Sequence, residues 1–175
     1  MLNRIFEEGL CRFIFGTLLI LLLALFALSL SPGTAKADHV EVNHKDLECL
    51  AKNIYFESRG ENVLGQYAVG LVTQNRVKSN KFPDTICGVV KQGRYWKNNP
   101  VKNKCHFSWF CDGKSDNPKD KEAWAISVHI AQSLLLYTIE DFTQGSTHYH
   151  ALDVSPRWSR KMKEATTIGS HIFYE

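Results

Sequence analysis

The order of hydrophobic patterns predicts an α+β domain, because helical periodicity comes first and short extended segments come last. Apolar residues recur at helical spacing from Asn43 to Gly60, from Asn62 to Lys78 and from Lys121 to Tyr137. Thr147 to Ala151, Thr166 to Ile168 and His171 to Tyr174 then read as short strands.

The segment ahead of this domain has the composition of a targeting signal. Arg4 and Arg12 flank a short region diluted by Glu7 and Glu8, and Phe13 to Leu30 is apolar without a charge. Ala35-Lys36-Ala37 then offers a small-x-small cleavage site before Asp38. Residues 1–37 are expected to be a signal peptide. A retained anchor is the alternative, because an apolar run of this length can span a bilayer. Either fate exports the remainder of the chain, to a periplasm or outside the cell. Cys11 precedes the apolar run, so it forms no lipoprotein-type site.

Residues 38–45 read as a short linker and 46–175 as one compact domain, long enough for a real core. From Asp38 onward, 18 basic residues face 16 acidic ones. A net charge near +2 makes no case for nucleic acid, and membrane contact is expected only if the first segment is retained. No internal repeat or low-complexity tract appears. Cys49, Cys87, Cys105 and Cys111 predict two disulfides in an exported domain, with all three pairings open. The absence of a C-x-x-C pair weakens a metal-site reading.

Asn43 can cap the first helix, with Asp46 in the first turn where the helix dipole favours it. Leu47, Leu50, Ala51, Ile54 and Tyr55 form its inward stripe, and Gly60 is a natural stop. In the second helix Ala68, Leu71, Val72 and Val77 face inward. Lys81-Phe82-Pro83-Asp84 breaks it, and Asp84 or Thr85 caps a short turn through Val90. The polar, Asn- and Lys-rich stretch from Gly93 to Lys104 reads as a solvated loop. Tyr95 and Trp96 within it permit a second reading, as a groove edge touching sugar. His106 to Phe110 reads as a short strand and Asp112 to Asp120 as turns. Trp124, Val128, Ala131, Leu134 and Leu135 then mark the longest helix.

One carboxylate stands out. Glu57 falls at the end of the first helix, after Tyr55 and Phe56 and before Ser58-Arg59-Gly60. Cleavage of a glycosidic bond needs a carboxylic acid to protonate the leaving oxygen, and an apolar wall keeps such an acid protonated. Ser58 supplies a candidate orienting hydroxyl. Glu61 is the candidate second carboxylate, although Gly60 interrupts the shared helix face. Carboxylates about 5 Å apart suit a retaining glycosidase, and a wider gap suits an inverting one. A single acid suffices if a hydroxyl of the substrate itself attacks. His148 and His150 would share one strand face. With His106 or His171 they would make a zinc site, but no H-E-x-x-H pattern supports one. No metal or cofactor is expected. Serine or cysteine nucleophiles lack a G-x-S-x-G elbow or a free thiol.

Five separated segments add a resemblance. They are Ala51 to Arg76 around Tyr55-Phe56-Glu57-Ser58-Arg59-Gly60-Glu61; Phe82 to Val90; Cys105 to Trp109 with Cys111-Asp112-Gly113; Gly145 to Ala151; and Trp158 with Ile168 to Tyr174. In this order they resemble the SleB-type cell wall hydrolases, which include spore-cortex-lytic enzymes. They cover nearly everything after Asp46.

The resemblance implies a lysozyme-like or resuscitation-promoting-factor-like fold, a small helical core with a short antiparallel sheet flanking a groove. It implies an enzyme acting on peptidoglycan glycan strands between N-acetylmuramic acid and N-acetylglucosamine; a monomer is expected. The implied chemistry is that of a lytic transglycosylase, leaving 1,6-anhydromuramic ends. Glu57 maps to the catalytic acid, and Ser58, Glu61, Phe107, Ser108, Trp109, Thr147, His148 and Tyr149 map to the substrate groove, with core packing the alternative reading of the aromatics. Glu61 would support the turn, and Asn75 and Arg76 would tie the second helix to the loop after Glu57. A water-using muramidase and a non-catalytic peptidoglycan-binding module are the alternatives. No separate wall-binding region is visible between Asp38 and His44, so specificity for spore cortex is not implied.

Overall fold

The computed structural model describes residues 42–175; the expected signal segment, with Cys11, lies outside the described residues. Helix α1, His44–Ser58, begins where the Asn43 side chain accepts the Lys45 N–H. Its inward face buries Cys49, Leu50, Ala51, Ile54 and Tyr55. Helix α2, Val63–Lys78, starts at Asn62, whose side chain accepts the Gly65 N–H. Thr85 rather than Asp84 caps α3, Ile86–Val90, by accepting from Gly88. Helix α4, Lys121–Leu136, is capped by Asp120 and equals α2 in length.

Helix α1 is the centre of the bundle, packing against α2, α3 and α4. Leu50, Ile54, Leu71, Val89, Ile130 and Leu134 form the core between them. Each such side chain contributes about 1.5–3 kcal/mol on burial. Gly70 permits the closest approach: a Cβ there would collide with Leu134 and come within 3.2 Å of Ile54. Polar contacts fasten the helix ends. The Tyr55 hydroxyl accepts the backbone N–H groups of Lys119 and Asp120 at the start of α4. Gln74 donates to the Leu134 carbonyl at its end.

The structure corrects two expectations. Residues 93–104 are a hairpin rather than a loop, β1 Gly93–Trp96 paired antiparallel with β2 Asn99–Cys105. Lys97 and Asn98 turn it with φ of 47° and 64°. A two-residue hairpin turn needs such left-handed values because they match the twist of the strands. No alternation announced these strands, because the hairpin is largely exposed on both faces. The expected strand at 106–110 is instead a single 3-10 turn, Ser108–Cys111. The Cys105–Cys111 disulfide closes only six residues of separation, so the chain must fold back. The other disulfide, Cys49–Cys87, joins α1 to α3.

The second sheet comprises β3 His148–Ala151, β4 Glu164–Ile168 and β5 His171–Tyr174, all antiparallel in the order β3-β5-β4. Phe173 on β5 is fully buried against Ala68 and Val72 of α2, which seats the sheet on that helix. Gly169, with φ of 57°, makes the tight turn from β4 to β5. Among the described residues no helix is long and apolar enough to cross a membrane.

Candidate active site

The last turn of α1 presents Glu57 towards β3, where the Tyr149 hydroxyl donates to Glu57 Oε2 at 2.9 Å. Glu57 is half-buried. Burial lifts its carboxyl above the ordinary carboxylate range, while the Tyr149 hydrogen bond and the nearby Arg76 charge pull it back. The Tyr149 phenol is pushed well up, first by burial and then by the adjacent Glu57 charge. It therefore stays protonated and remains a donor.

Arg76 rises from α2 with only 6% of its surface exposed. Its Nε donates to the Thr147 carbonyl at 2.7 Å, and its guanidinium lies 4.8 Å from the Phe107 ring and 5.3 Å from the Phe82 ring. Burial disfavours its charge, and both Tyr149 and Glu57 favour it. Beside it, Asn75 Nδ2 donates towards Asp141 Oδ2, Thr143 Oγ1 and the Ser146 carbonyl. Asn75 and Arg76 therefore tie α2 to the segment that leads into β3, not to the loop after Glu57. This is the scaffold that aims Tyr149. Arg76 joins the site beyond the groove residues that the resemblance implies. Its signal was present, since it lies four residues beyond Val72 and eight beyond Ala68 on the buried stripe.

Several expected groove residues lie beneath the site instead. Ser58 is 3% exposed and donates to the Ile54 carbonyl at 2.8 Å, so the hydroxyl that orients Glu57 belongs to Tyr149. Phe107 is 2% exposed under Arg76. Trp109 stacks on Phe56 with ring centroids 4.8 Å apart, and its Nε1 donates to Asn53 Oδ1. Asn53, fully buried, donates onward to Thr73. These side chains brace the end of α1 from within. Ser108 is exposed, and Thr147 and His148 are half-buried. Thr147 Oγ1 and His148 Nδ1 lie 2.9 Å apart. Burial and the Arg76 charge both lower the His148 and His106 pKa values.

Glu61 does not share the face of Glu57. Its Oε2 accepts the Ser170 N–H at 2.9 Å and its Oε1 lies 3.8 Å from His171 Nδ1, so it holds the β4–β5 turn. His171 in turn sets its ring edge-on to Tyr149 at 5.2 Å. His148 and His150 both pack against the Trp158 ring, with centroids 5.5 and 5.6 Å away. His150 contacts the Ala151 carbonyl and the Tyr174 hydroxyl. Among the described residues no three His, Cys, Asp or Glu side chains converge on a metal-sized site. A cleft of about 350 Å³ between α1, α3 and the 3-10 turn leaves Glu57 and Tyr149 outside it.

Comparison with known proteins supplies the context. The spore cortex-lytic enzyme of Bacillus cereus is 46% identical over 134 residues, covering 75% of this chain and 44% of that enzyme. Its counterpart from Halalkalibacterium halodurans is 29% identical over 143 residues, covering 79% of this chain and 38% of the relative. The chain thus spans less than half the length of these relatives. Among solved structures, the catalytic domain of the Bacillus cereus SleB protein matches with a TM-score of 0.55 and 27% identity, over 78% of this chain and 94% of that one. The catalytic domain of the germination-specific lytic transglycosylase SleB from Bacillus anthracis matches with a TM-score of 0.58 and 28% identity, over 78% and 98%. The α+β architecture is therefore that of the SleB catalytic domain, a lysozyme-like fold. Residues 60–174 match the family model described as Cell Wall Hydrolase, which begins three residues after Glu57. With more than half its length inside that match, the chain belongs to the cell wall hydrolase family.

Proposed function

We propose that this domain cleaves peptidoglycan between N-acetylmuramic acid and N-acetylglucosamine as a lytic transglycosylase, with Glu57 as its one acid. The observation that carries the proposal is a half-buried carboxyl, raised by burial and held in one orientation by a phenol. A protonated Glu57 gives its proton to the glycosidic oxygen as that bond breaks. The carboxylate then accepts the proton of the muramic C6 hydroxyl, whose oxygen attacks the anomeric carbon and closes the 1,6-anhydro ring. The acid is restored and water is not consumed. Arg76 steadies the carboxylate between these two steps.

The position of Glu61 supports a single-acid mechanism, because its carboxylate is occupied by the Ser170 amide. The relatives are named as spore cortex-lytic enzymes and one structural neighbour as a lytic transglycosylase, which agrees with this chemistry. Ser108, Thr147 and His148 supply the polar wall of the groove, and Ser58, Glu61, Phe107 and Trp109 act through the scaffold. The protein works as an exported monomer without a cofactor, in a periplasm or outside the cell.

Mass spectrometry of soluble products from purified sacculi tests this reading, comparing the protein with its folded Glu57→Gln variant. Anhydromuropeptides from the unmodified protein alone are expected. Reducing muramic ends would replace the transglycosylase with a water-using muramidase. Retention on sacculi with no product from either protein would make the domain a binding module.

A further inference from the structure

The β1–β2 hairpin, joined to the 3-10 turn at its base, carries an unbalanced surface. Arg94, Lys97, Lys102 and Lys104 fall within a stretch, 91–111, that holds no acidic residue. None of the four forms an ion pair among the described residues. Trp96, beside the turn, is 70% exposed, more than any other large apolar side chain among the described residues. Cross-strand pairing sets it opposite Asn99, next to the Lys97-Asn98 turn. Leaving an indole in water costs free energy that core packing would have recovered. The hairpin is nonetheless held firmly. The Cys105–Cys111 disulfide ties its base to the 3-10 turn, whose Trp109 is anchored on Asn53 of α1. Just beyond that base, the Phe107 ring lies 4.8 Å from the Arg76 guanidinium of the site.

We infer that this hairpin is a substrate-docking arm that grips a glycan strand through Trp96 and the carboxylates of its peptide stems through the four cations. A flat indole flanked by amides suits a sugar face with its hydroxyls, and uncompensated cations suit a polyanion. A lipid surface fits less well, because Lys97, Asn98 and Asn99 make the tip polar. The identity of the polymer rests on the peptidoglycan-cleaving function proposed for Glu57.

The test is co-sedimentation of full-length Glu57→Gln protein with purified sacculi, so that binding is read without cleavage. Adding Trp96→Ala should weaken retention about tenfold, with Trp96→Phe restoring most of it. Replacing Lys97, Lys102 and Lys104 by Gln should weaken retention at low salt and flatten its salt dependence. Unchanged retention in both variants overturns the proposal, as does hairpin-dependent binding to phosphatidylglycerol vesicles but not to sacculi. Hairpin-dependent retention by a chain whose unmodified form releases no product sinks the cleavage reading and leaves the arm standing. Cleavage with hairpin-independent retention does the reverse.

Discussion

The Tyr149 hydroxyl donates to Glu57 Oε2 at 2.9 Å, joining the end of the first helix to the sheet across 92 residues of chain. A phenol donating to a carboxyl favours its ionised form, whereas burial favours the neutral one. Burial is the larger effect, so the pair leaves an acid with a raised pKa in a fixed direction. This balance makes the site testable.

Activity that depends on protonated Glu57 declines as pH rises through its elevated pKa. Tyr149→Phe removes a stabiliser of the ionised form and raises that pKa further. The alkaline limb of kcat/KM should therefore move to higher pH, while the rate at the optimum falls. A limb that stays in place would assign Tyr149 to packing alone.

Glu57→Gln should lose activity by about 10²–10⁴-fold. Its stability should move the other way. Because the folded-state pKa lies above the unfolded one, the native state binds more protons across the interval between them. Stability from this group is fully present below the unfolded value and is lost as pH rises through the folded one. The Gln variant escapes that loss. Thermal melts should show it at least as stable as the unmodified protein at neutral pH, with the advantage vanishing in acid.

Asn53→Ala should cost about 1–3 kcal/mol, since it strands the Trp109 N–H in the interior and leaves the Thr73 hydroxyl with only its bond to the Val69 carbonyl. Denaturant unfolding measures the loss. A change under about 0.5 kcal/mol, the scale of an ordinary surface substitution, would mean that the buried network adds nothing.

Gly169→Ala should destabilise by roughly 1–2 kcal/mol through its left-handed backbone alone. The added methyl also collides with the Glu61 carboxylate and breaks its bond to the Ser170 amide. If Glu61 only supports this turn, Glu61→Gln should retain most activity and share part of the stability loss. Activity assays beside melts separate this outcome from a catalytic Glu61.

The helices were legible because their signals are local. Asn43 announces the first start, and apolar spacing marks the buried faces. The hairpin was not, because its turn uses Lys97-Asn98 in place of the glycine-containing pairs that usually take such angles. For Phe107 and Trp109 the sequence leaves groove wall and core packing open, since an aromatic that packs and an aromatic that binds sugar have the same letter. Only their burial separates the two roles. Glu57 and Tyr149 were each legible as residues, but their meeting depends on Asn75 and Arg76 gripping the 141–147 segment, a tertiary relation without a sequence period.

Strand β5 comes after both β3 and β4 in the chain yet lies between them. On a ribosome, the helix bearing Glu57 emerges early and the strand bearing Tyr149 much later. Until β5 arrives, β3 has no neighbour in the sheet. A nascent or prematurely cut chain thus holds the acid without its aimed partner. The acid chemistry proposed for Glu57 is thus a property of the finished fold, not of the helix that carries it.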